Sequence, residues 1–289
     1  MNPLYPFTGK YLDINGQRMH YLDEGTGEPL VMVHGNPTWS FYFRNPVNAF
    51  RDTHRVIVPD HIGCGLSDKP PADKYPYILE RRVQDLETLL EHCQPGQPVT
   101  LILHDWGGMI GMAYAHRHPE KIRRLVLLNT AAFLLPEGKR LPWSLWLVRN
   151  TPLGSLLVRG LNQFSRGAVR YCAMKPLSPE IKAGYLQPYD SWANRVAVLR
   201  FVRDIPLHPS DDSYALVKEV QDHLDQFRQT PTLICWGEKD FVFGAPFLEQ
   251  WRRHLPDAEV HTFAEAGHFV LEDAGEEIIA HIRRFLAES

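Results

Sequence analysis

The sequence contains few cysteines, no long apolar run and no excess of positive charge. Its four cysteines form no Cys-x-x-Cys pair, which argues against a zinc or redox site and predicts reduced, mostly buried thiols. Nowhere do about 18 uncharged apolar residues follow one another, and residues 1–7 lack the basic and apolar segments of a signal peptide. We therefore expect a cytoplasmic protein that has no membrane partner.

Basic residues are slightly outnumbered by acidic ones. The 31 Lys and Arg residues face 34 Asp and Glu residues, which gives a formal net charge of -3 at pH 7. Proteins bind nucleic acids and anionic membranes through a positively charged surface, so we expect neither as a partner. With 289 residues, 44% of them apolar, the chain can bury a large core in one domain or two. Small molecules remain as the expected partners.

Short apolar runs rich in β-branched residues alternate with helical patterns. The runs are residues 29–35, 55–60, 99–105, 125–129 and 232–236, and a helical spacing of apolar residues covers 78–90. Uninterrupted apolar runs are typical of strands covered on both faces, so the alternation predicts an α/β fold with a parallel sheet between helices. Residues 9–14 and 19–23 flank Asn15-Gly16 and predict an antiparallel hairpin that leads into the sheet.

The alternation stops between residues 132 and 213. Eight prolines separate short helical stretches here, and many of these stretches carry aromatic residues. Because the strand pattern resumes at residue 231, this segment is predicted to be a helical cap, or lid, inserted into one core. The predicted division is a core of residues 1–131 and 214–289 and a cap of residues 132–213.

The run His104-Asp105-Trp106-Gly107-Gly108 follows a predicted strand and opens a helix. This is the strand-turn-helix context of a nucleophile elbow, with Asp105 at its tip. As an alternative, Asp105 could be a simple helix N-cap. Two further predicted strands end near Asp240 and His268, so the chain order Asp105, Asp240, His268 is the nucleophile, acid, base order of the α/β-hydrolase fold.

The sequence resembles an α/β-hydrolase of the haloalkane dehalogenase family. The matching stretches are HGNPT at 34–38, PDHIGCGLS at 59–67, HDWGG at 104–108, GEKD at 237–240 and GHF at 267–269. The resemblance implies a mostly parallel eight-stranded sheet flanked by helices, with an inserted helical cap. It implies a small apolar halogenated substrate, with halide and water as the other small-molecule partners, and neither a metal nor another cofactor.

The resemblance also implies a two-step reaction on three catalytic residues. Asp105 attacks the carbon that bears the halogen, which releases halide and forms a covalent alkyl ester. His268 activates a water molecule that hydrolyses this ester to a primary alcohol, and Asp240 orients His268. A carboxylate suits the first step because its reference pKa of about 3.9 leaves it ionised at neutral pH.

Two residues are expected to bind the departing halide. The resemblance assigns this role to the indole N–H of Trp106 and the side-chain amide of Asn36. Their backbone N–H groups are expected to form the oxyanion hole. The aromatic residues of the cap are expected to wall an apolar pocket, and Trp39 is expected to be a wall or packing residue of it rather than a donor.

Missing residues indicate a branch of the family. The sixth strand ends Leu128-Asn129-Thr130 without the carboxylate that supplies the triad acid in one branch, which favours Asp240 as the acid. Asn36 stands where a second branch has an acidic residue. The sequence is most similar to a third branch, whose members tend to form large assemblies, so a homo-oligomer is a further expectation.

Two other functions compete with dehalogenation. Epoxide hydrolases use the same Asp nucleophile together with cap tyrosine acids, and this chain offers Tyr171, Tyr185, Tyr189 and Tyr214. Asn36 argues against this reading, because its amide would then have no halide to bind. A binding protein that has lost chemistry on this fold is the third reading.

Overall fold

The computed structural model describes residues 3–289. The strands are β1 Lys10–Ile14, β2 Gln17–Glu24, β3 Pro29–Val33, β4 Arg55–Pro59, β5 Val99–Asp105, β6 Ile122–Thr130, β7 Thr232–Gly237 and β8 Glu259–Phe263. The helices are α1 Arg44–Phe50, α2 Leu79–Cys93, α3 Trp106–Arg117, α4 Trp143–Asn150, α5 Leu153–Ser155, α6 Gln163–Tyr171, α7 Pro179–Leu186, α8 Val196–Arg203, α9 Tyr214–Asp222, α10 Ala245–His254, α11 Val270–Asp273 and α12 Gly275–Glu288. Each predicted strand is found within a few residues of its predicted bounds.

The eight strands form one sheet in the order β1-β2-β4-β3-β5-β6-β7-β8. β2 runs antiparallel to β1 and β4, and every other neighbouring pair is parallel. The predicted hairpin and the predicted mostly parallel sheet are therefore confirmed. Parallel strands bring their carboxyl ends to one edge, which is where α/β sheets bind ligands.

The central strands are apolar on both faces because helices cover both sides of the sheet. All residues of β3 and β5 are buried. Along β3, Val31 and Val33 join one apolar cluster with α2 and α3, whereas Leu30 and Met32 join another with α1 and α12. Side chains alternate between the faces of a strand, so an uninterrupted apolar run is what a doubly covered strand requires.

Helix α2 shows how the sequence sets an element and its end. Val83, Leu86 and Leu90 are buried on one face, as their spacing of three and four predicts. Burial of each such side chain contributes about 1.5–3 kcal/mol. The helix ends where Gln94 adopts a left-handed conformation with φ 45°, just before the turn at Gly96.

Helices α4 to α8 lie in the segment between β6 and β7 that the sequence predicts to be a cap. They have a small apolar cluster of their own, which includes Val148, Val158 and Val202. The division at residues 132 and 213 stays a prediction. No helix in residues 3–289 has the length and apolar character that crossing a membrane requires.

Candidate active site

Asp105 ends β5 and stands directly before α3, at a sharp turn of the backbone. Its φ of 52° and ψ of -126° lie in a region that residues other than glycine rarely adopt. The turn needs a small residue beside it, because a β-carbon on Gly107 would lie 1.9 Å from the carbonyl oxygen of Val33. Asp105 occupies the N-cap position of α3, but its carboxylate makes no capping hydrogen bond of the usual kind, so capping does not account for this residue.

His268 lies between the two predicted acidic residues. Its Nε2 is 3.6 Å from Oδ2 of Asp105, and its Nδ1 is 2.8 Å from Oδ2 of Asp240. All three side chains are almost fully buried. The structure therefore brings together Asp105, His268 and Asp240, which lie far apart in the sequence, in the order that a nucleophile-base-acid relay needs.

Burial and charge together set the protonation behaviour of this group. Burial raises the pKa of Asp105 above its usual value, although His268 and the backbone N–H groups of Trp106 and Asn36 oppose that rise. Burial lowers the pKa of His268, but the carboxylates of Asp240 and Asp105 outweigh it and leave the pKa above the ordinary imidazole value. The imidazolium is thus favoured beside two carboxylates.

Asp240 is held by hydrogen bonds from three sides. The backbone N–H groups of Val242 and Phe243 donate to its Oδ1 at 2.7 and 3.0 Å. Nδ2 of Asn129 donates to its Oδ2 at 3.0 Å and also to the carbonyl oxygen of Gly237. In the sequence, Asn129 stands out only because the end of the sixth strand lacks a carboxylate. Its position at the carboxyl end of β6, beside β7, was the signal that it could support the acid.

Asn36 and Trp106 approach Asp105 through their backbone. The N–H of Asn36 donates to Oδ1 of Asp105 at 2.6 Å, and the N–H of Trp106 also hydrogen-bonds this carboxylate. Their side chains both meet α8: Nδ2 of Asn36 donates to the carbonyl oxygen of Val198 at 3.1 Å, and the Trp106 ring centre is 5.4 Å from that of Phe201. One cap helix therefore contacts both predicted anion donors.

A buried cation holds α8 against the core. The guanidinium of Arg82, on α2, lies 3.7 Å from the centre of the Phe201 ring, and its Nη1 is 3.5 Å from Oδ2 of Asp204. Asp204 also accepts a hydrogen bond from Oγ of Ser213 at 2.6 Å. Burial raises the pKa of Asp204 to about 6, against the effect of Arg82. The sequence carried no signal for this contact.

A cavity of about 720 Å³ opens above Asp105. Asn36, Asp105, Trp106 and His268 line it, and most of its other lining residues are apolar residues of the predicted cap, such as Trp143, Leu147, Val148, Phe164 and Tyr171. Its size falls within the range of about 300–1,000 Å³ that is typical of small-molecule sites. The apolar wall expected from the cap aromatics is thus present.

Of the two roles expected for Trp39, the structure shows packing and not a place in the cavity wall. Its side chain is buried and does not line this cavity. Its indole N–H donates to the carbonyl oxygen of Gly184 at 3.1 Å, and its ring stacks on Phe41 with centres 5.5 Å apart. Trp39 thus packs the core against α7, the helix that carries Gly184.

The cap tyrosines do not converge on Asp105. The hydroxyl of Tyr185 donates to Glu272 at 2.5 Å, and that of Tyr189 donates to the carbonyl oxygen of Thr38 at 3.3 Å. Of the four tyrosines that the epoxide hydrolase reading needs, Tyr171 alone lines the cavity in the described part of the chain. This arrangement gives no pair of hydroxyl acids.

Among residues 3–289, one group of side chains has a spacing that suits a metal ion, and none of its members lines the cavity. Ligand atoms of Glu259, His261 and His281 lie within 4.8 Å of one another. The guanidinium of Arg284 contacts both Glu259 and His261, so a cationic side chain already lies against this group. The expectation that the reaction needs no metal stays a prediction.

Comparisons with known proteins agree with this architecture. A family model described as alpha/beta hydrolase fold matches residues 28–275. A cis-3-alkyl-4-alkyloxetan-2-one decarboxylase of Shewanella oneidensis is 55% identical, over 100% of this chain and 91% of that protein. A haloalkane dehalogenase of Mycolicibacterium paratuberculosis is 32% identical, over 96% of this chain and 92% of that protein.

A solved structure has the same fold. The haloalkane dehalogenase DatA from Agrobacterium tumefaciens C58 superposes with a TM-score of 0.87 at 24% identity, over 97% of this chain and 96% of that one. The chain belongs to the alpha/beta hydrolase fold family and is related to the haloalkane dehalogenases.

Proposed function

We propose that this protein decarboxylates cis-3-alkyl-4-alkyloxetan-2-ones, with Asp105 as the nucleophile and a cis-alkene and CO₂ as products. The observation that carries the proposal is the similarity to the Shewanella decarboxylase along the whole chain. The cavity supports it, since a carboxylate on the floor of an apolar chamber suits a substrate with two alkyl arms and one small polar ring.

The chemistry of the ring explains why a carboxylate nucleophile would serve. C4 of an oxetan-2-one is a saturated carbon that bears a good anionic leaving group, the ring carboxyl oxygen. Asp105 attacks C4, a new C4–O bond forms with inversion, and the ring C4–O bond breaks to free a carboxylate on C3. The indole N–H of Trp106 and the amide of Asn36 would stabilise that developing negative charge.

The second step regenerates the enzyme without water. The electron pair of the bond between C3 and the carboxylate forms the C3=C4 double bond, CO₂ departs, and the C4–O bond to Asp105 breaks. Departure of the two groups from opposite faces, after inversion at C4, places the alkyl arms on the same side of the alkene. A cis lactone thus gives a cis alkene, and the atoms of the substrate equal those of the products.

His268 and Asp240 act on Asp105 in this scheme. The imidazolium, favoured by the raised pKa of His268, lies beside Oδ2 of Asp105. It stabilises the ionised carboxylate against burial before attack and again when Asp105 leaves. His268 is therefore a positioning and electrostatic residue here, with no water to activate.

Hydrolytic dehalogenation of haloalkanes is the second candidate function. The presence of Asn36 and Trp106 in the cavity beside Asp105 favours it, as does the mycobacterial dehalogenase relative. Asp105 would displace halide from the saturated carbon, and His268 would activate water for hydrolysis of the alkyl ester to a primary alcohol. The two candidates share the first step and differ in how the ester is resolved.

The test compares both substrate classes on one enzyme preparation. We expect a cis-3,4-dialkyl oxetan-2-one to give cis-alkene and CO₂ with a kcat/KM at least 100-fold above that for a bromoalkane of equal length. Asp105→Asn should lower decarboxylation by about 10³-fold or more, because the amide is a poor nucleophile. Bromide release without any alkene would overturn the proposal in favour of dehalogenation.

A further inference from the structure

Charge is divided unequally between the core and the cap, which we define as residues 132–213. The cap contains 11 Lys and Arg residues against 6 Asp and Glu residues, whereas the rest of the chain contains 20 against 28. The cap is therefore basic and the core is acidic. The net charge of -3 for the whole chain conceals this asymmetry.

Most cations of the cap, in the described part of the chain, form no ion pair with a carboxylate. Among the residues that the structure describes, Arg149 is the one cap Lys or Arg with a carboxylate oxygen within 4.0 Å. Nη2 of Arg203, on α8, donates to Oγ of Ser155 at 3.0 Å, a few residues before Arg159 in the chain. Burial, and then the charge of Arg200, lower the pKa of both Arg159 and Arg203. Cations that repel one another without a counter-charge favour an anionic occupant.

Large apolar side chains are exposed in the same segment. Trp143, Trp146 and Trp192 have 78, 54 and 49% of their surfaces exposed, and Leu156 is 53% exposed. Trp143 and Trp146 lie three apart on α4 and so share a face. The ring of Trp192 lies 4.6 Å from the guanidinium of Arg159, which joins the apolar and basic features into one surface.

This cap surface is continuous with the cavity. Trp143 and Tyr171 are exposed to solvent and also line the cavity above Asp105. An apolar molecule that leaves a lipid layer at this surface would therefore meet cavity-lining rings first. Exposed Trp and Leu side chains among Arg and Lys are the composition of interfacial, membrane-surface segments.

We propose that the cap docks on an anionic phospholipid surface, with its exposed Trp and Leu side chains at the interfacial level and its unpaired arginines on lipid phosphates. Lipid is favoured over a second copy of this chain by charge complementarity, since a second cap would bring a further set of unpaired cations onto the first. The proposal revises the expectation of no membrane partner. It does not depend on the proposed reaction, because docking is measured without substrate.

Vesicle flotation of the full-length protein tests the proposal. We expect binding to phosphatidylcholine vesicles that contain 30 mol% phosphatidylglycerol to exceed binding to pure phosphatidylcholine by at least tenfold at low salt, and 0.5 M NaCl to remove most of the difference. Arg166 and Arg170 are exposed on α6, and the guanidinium of Arg170 lies 5.4 Å from the ring of Tyr171 on the same surface. Arg166→Gln with Arg170→Gln, and separately Trp146→Ser with Leu156→Ser, should each lower binding to the anionic vesicles by at least fivefold.

A matched pair of core substitutions is the control. Tyr11→Ser with Arg253→Gln removes an exposed aromatic residue and an exposed cation of the core, and should leave vesicle binding unchanged. Circular dichroism melts establish that each variant is folded. Equal binding to the two vesicle types would overturn the proposal. So would cap variants that bind like the parent, or a stable dimer in sedimentation that Trp146→Ser disperses.

Discussion

The core and the cap contribute to the site by different means. In the core, Asp105, Asp240 and His268 stand where strands end, and neighbouring backbone N–H groups fix the two carboxylates. In the cap, helix α8 reaches the site through one carbonyl oxygen at Val198 and one ring at Phe201. The core therefore supplies the reactive groups, at its backbone turns. The cap supplies most of the cavity wall and the contacts that orient the side chains of Asn36 and Trp106.

Substitution of Asn129 tests whether its hydrogen bond orients Asp240 toward His268. Asn129→Ala removes the hydrogen bond to Oδ2 of Asp240 and leaves a buried carboxylate short of a donor, which costs about 1–3 kcal/mol. If Asp240 then turns from His268, kcat should fall by about 10- to 100-fold with little change in KM. Steady-state kinetics on the oxetanone measure both constants.

Asn162→Ala is the control for this substitution. Asn162 is a buried cap residue whose amide donates to the carbonyl oxygen of Tyr189. Loss of this hydrogen bond should lower the melting temperature, because it leaves a buried carbonyl oxygen without its donor. We expect kcat to stay within about twofold, because the bond does not involve the triad. Equal losses of kcat in both variants would mean that Asn129 acts only through stability.

Asp204 tests the contact between the cap and Arg82 on α2 of the core. Its pKa is about 6 in the folded protein against 3.8 ordinarily, so the folded state holds the proton more tightly. The free energy of unfolding should then fall by about 1.4 kcal/mol per pH unit as the pH rises from the ordinary pKa toward the folded-state pKa, and it should level off above about pH 6. Arg82 faces this carboxyl and Asp212 also acts on it.

Asp204→Asn removes that titration. In urea unfolding at pH 4.5, 5.5 and 6.5, the free energy of unfolding of the variant should rise relative to that of the parent protein as the pH rises. Leu79 and Ser213 would keep their contacts around the site, because an amide retains the acceptor oxygen. A difference between the two proteins that does not change with pH would contradict the assigned pKa.

Phe201 tests whether the cap sets the donors of the core. Phe201→Leu removes a ring contact with Trp106, and aromatic pairs of this kind contribute about 0.5–1.5 kcal/mol. We therefore expect kcat/KM to fall by about 2- to 10-fold. Phe41→Leu, which removes a ring beneath the guanidinium of Arg44 but does not contact Trp106, is the matched control. Similar losses in both would remove the role given to α8.

Prediction from the sequence worked where structure is local. The run at 104–108 defines the elbow because a strand, a small-residue turn and a helix follow one another there, and both other triad residues lie in loops shortly after predicted strands. The strands of the sheet could be predicted equally well, since a strand covered on both faces appears in the sequence as a local apolar run. The α/β-hydrolase fold could thus be predicted almost completely.

Contacts between distant segments could not be read in this way. Asn129 meets Asp240 across 111 positions, and Arg82 meets Asp204 across the boundary between core and cap. Trp39 illustrates the same limit, because the sequence leaves open whether this residue lines the cavity or packs, and only the contact with Gly184 decides it. Neither residue spacing nor composition encodes such packing, which depends on how helices settle on the sheet.

The fate of water tests the proposed reaction most directly. In H₂¹⁸O, the account predicts that a cis-3,4-dialkyl oxetan-2-one yields cis-alkene and CO₂ in equal amounts, without any ¹⁸O-labelled 3-hydroxy acid. Asp105 should remain unlabelled after many turnovers, as intact-protein mass spectrometry would show, because no water attacks its ester. Accumulation of labelled 3-hydroxy acid with ¹⁸O entering Asp105 would show that His268 drives hydrolysis and would contradict the decarboxylation scheme.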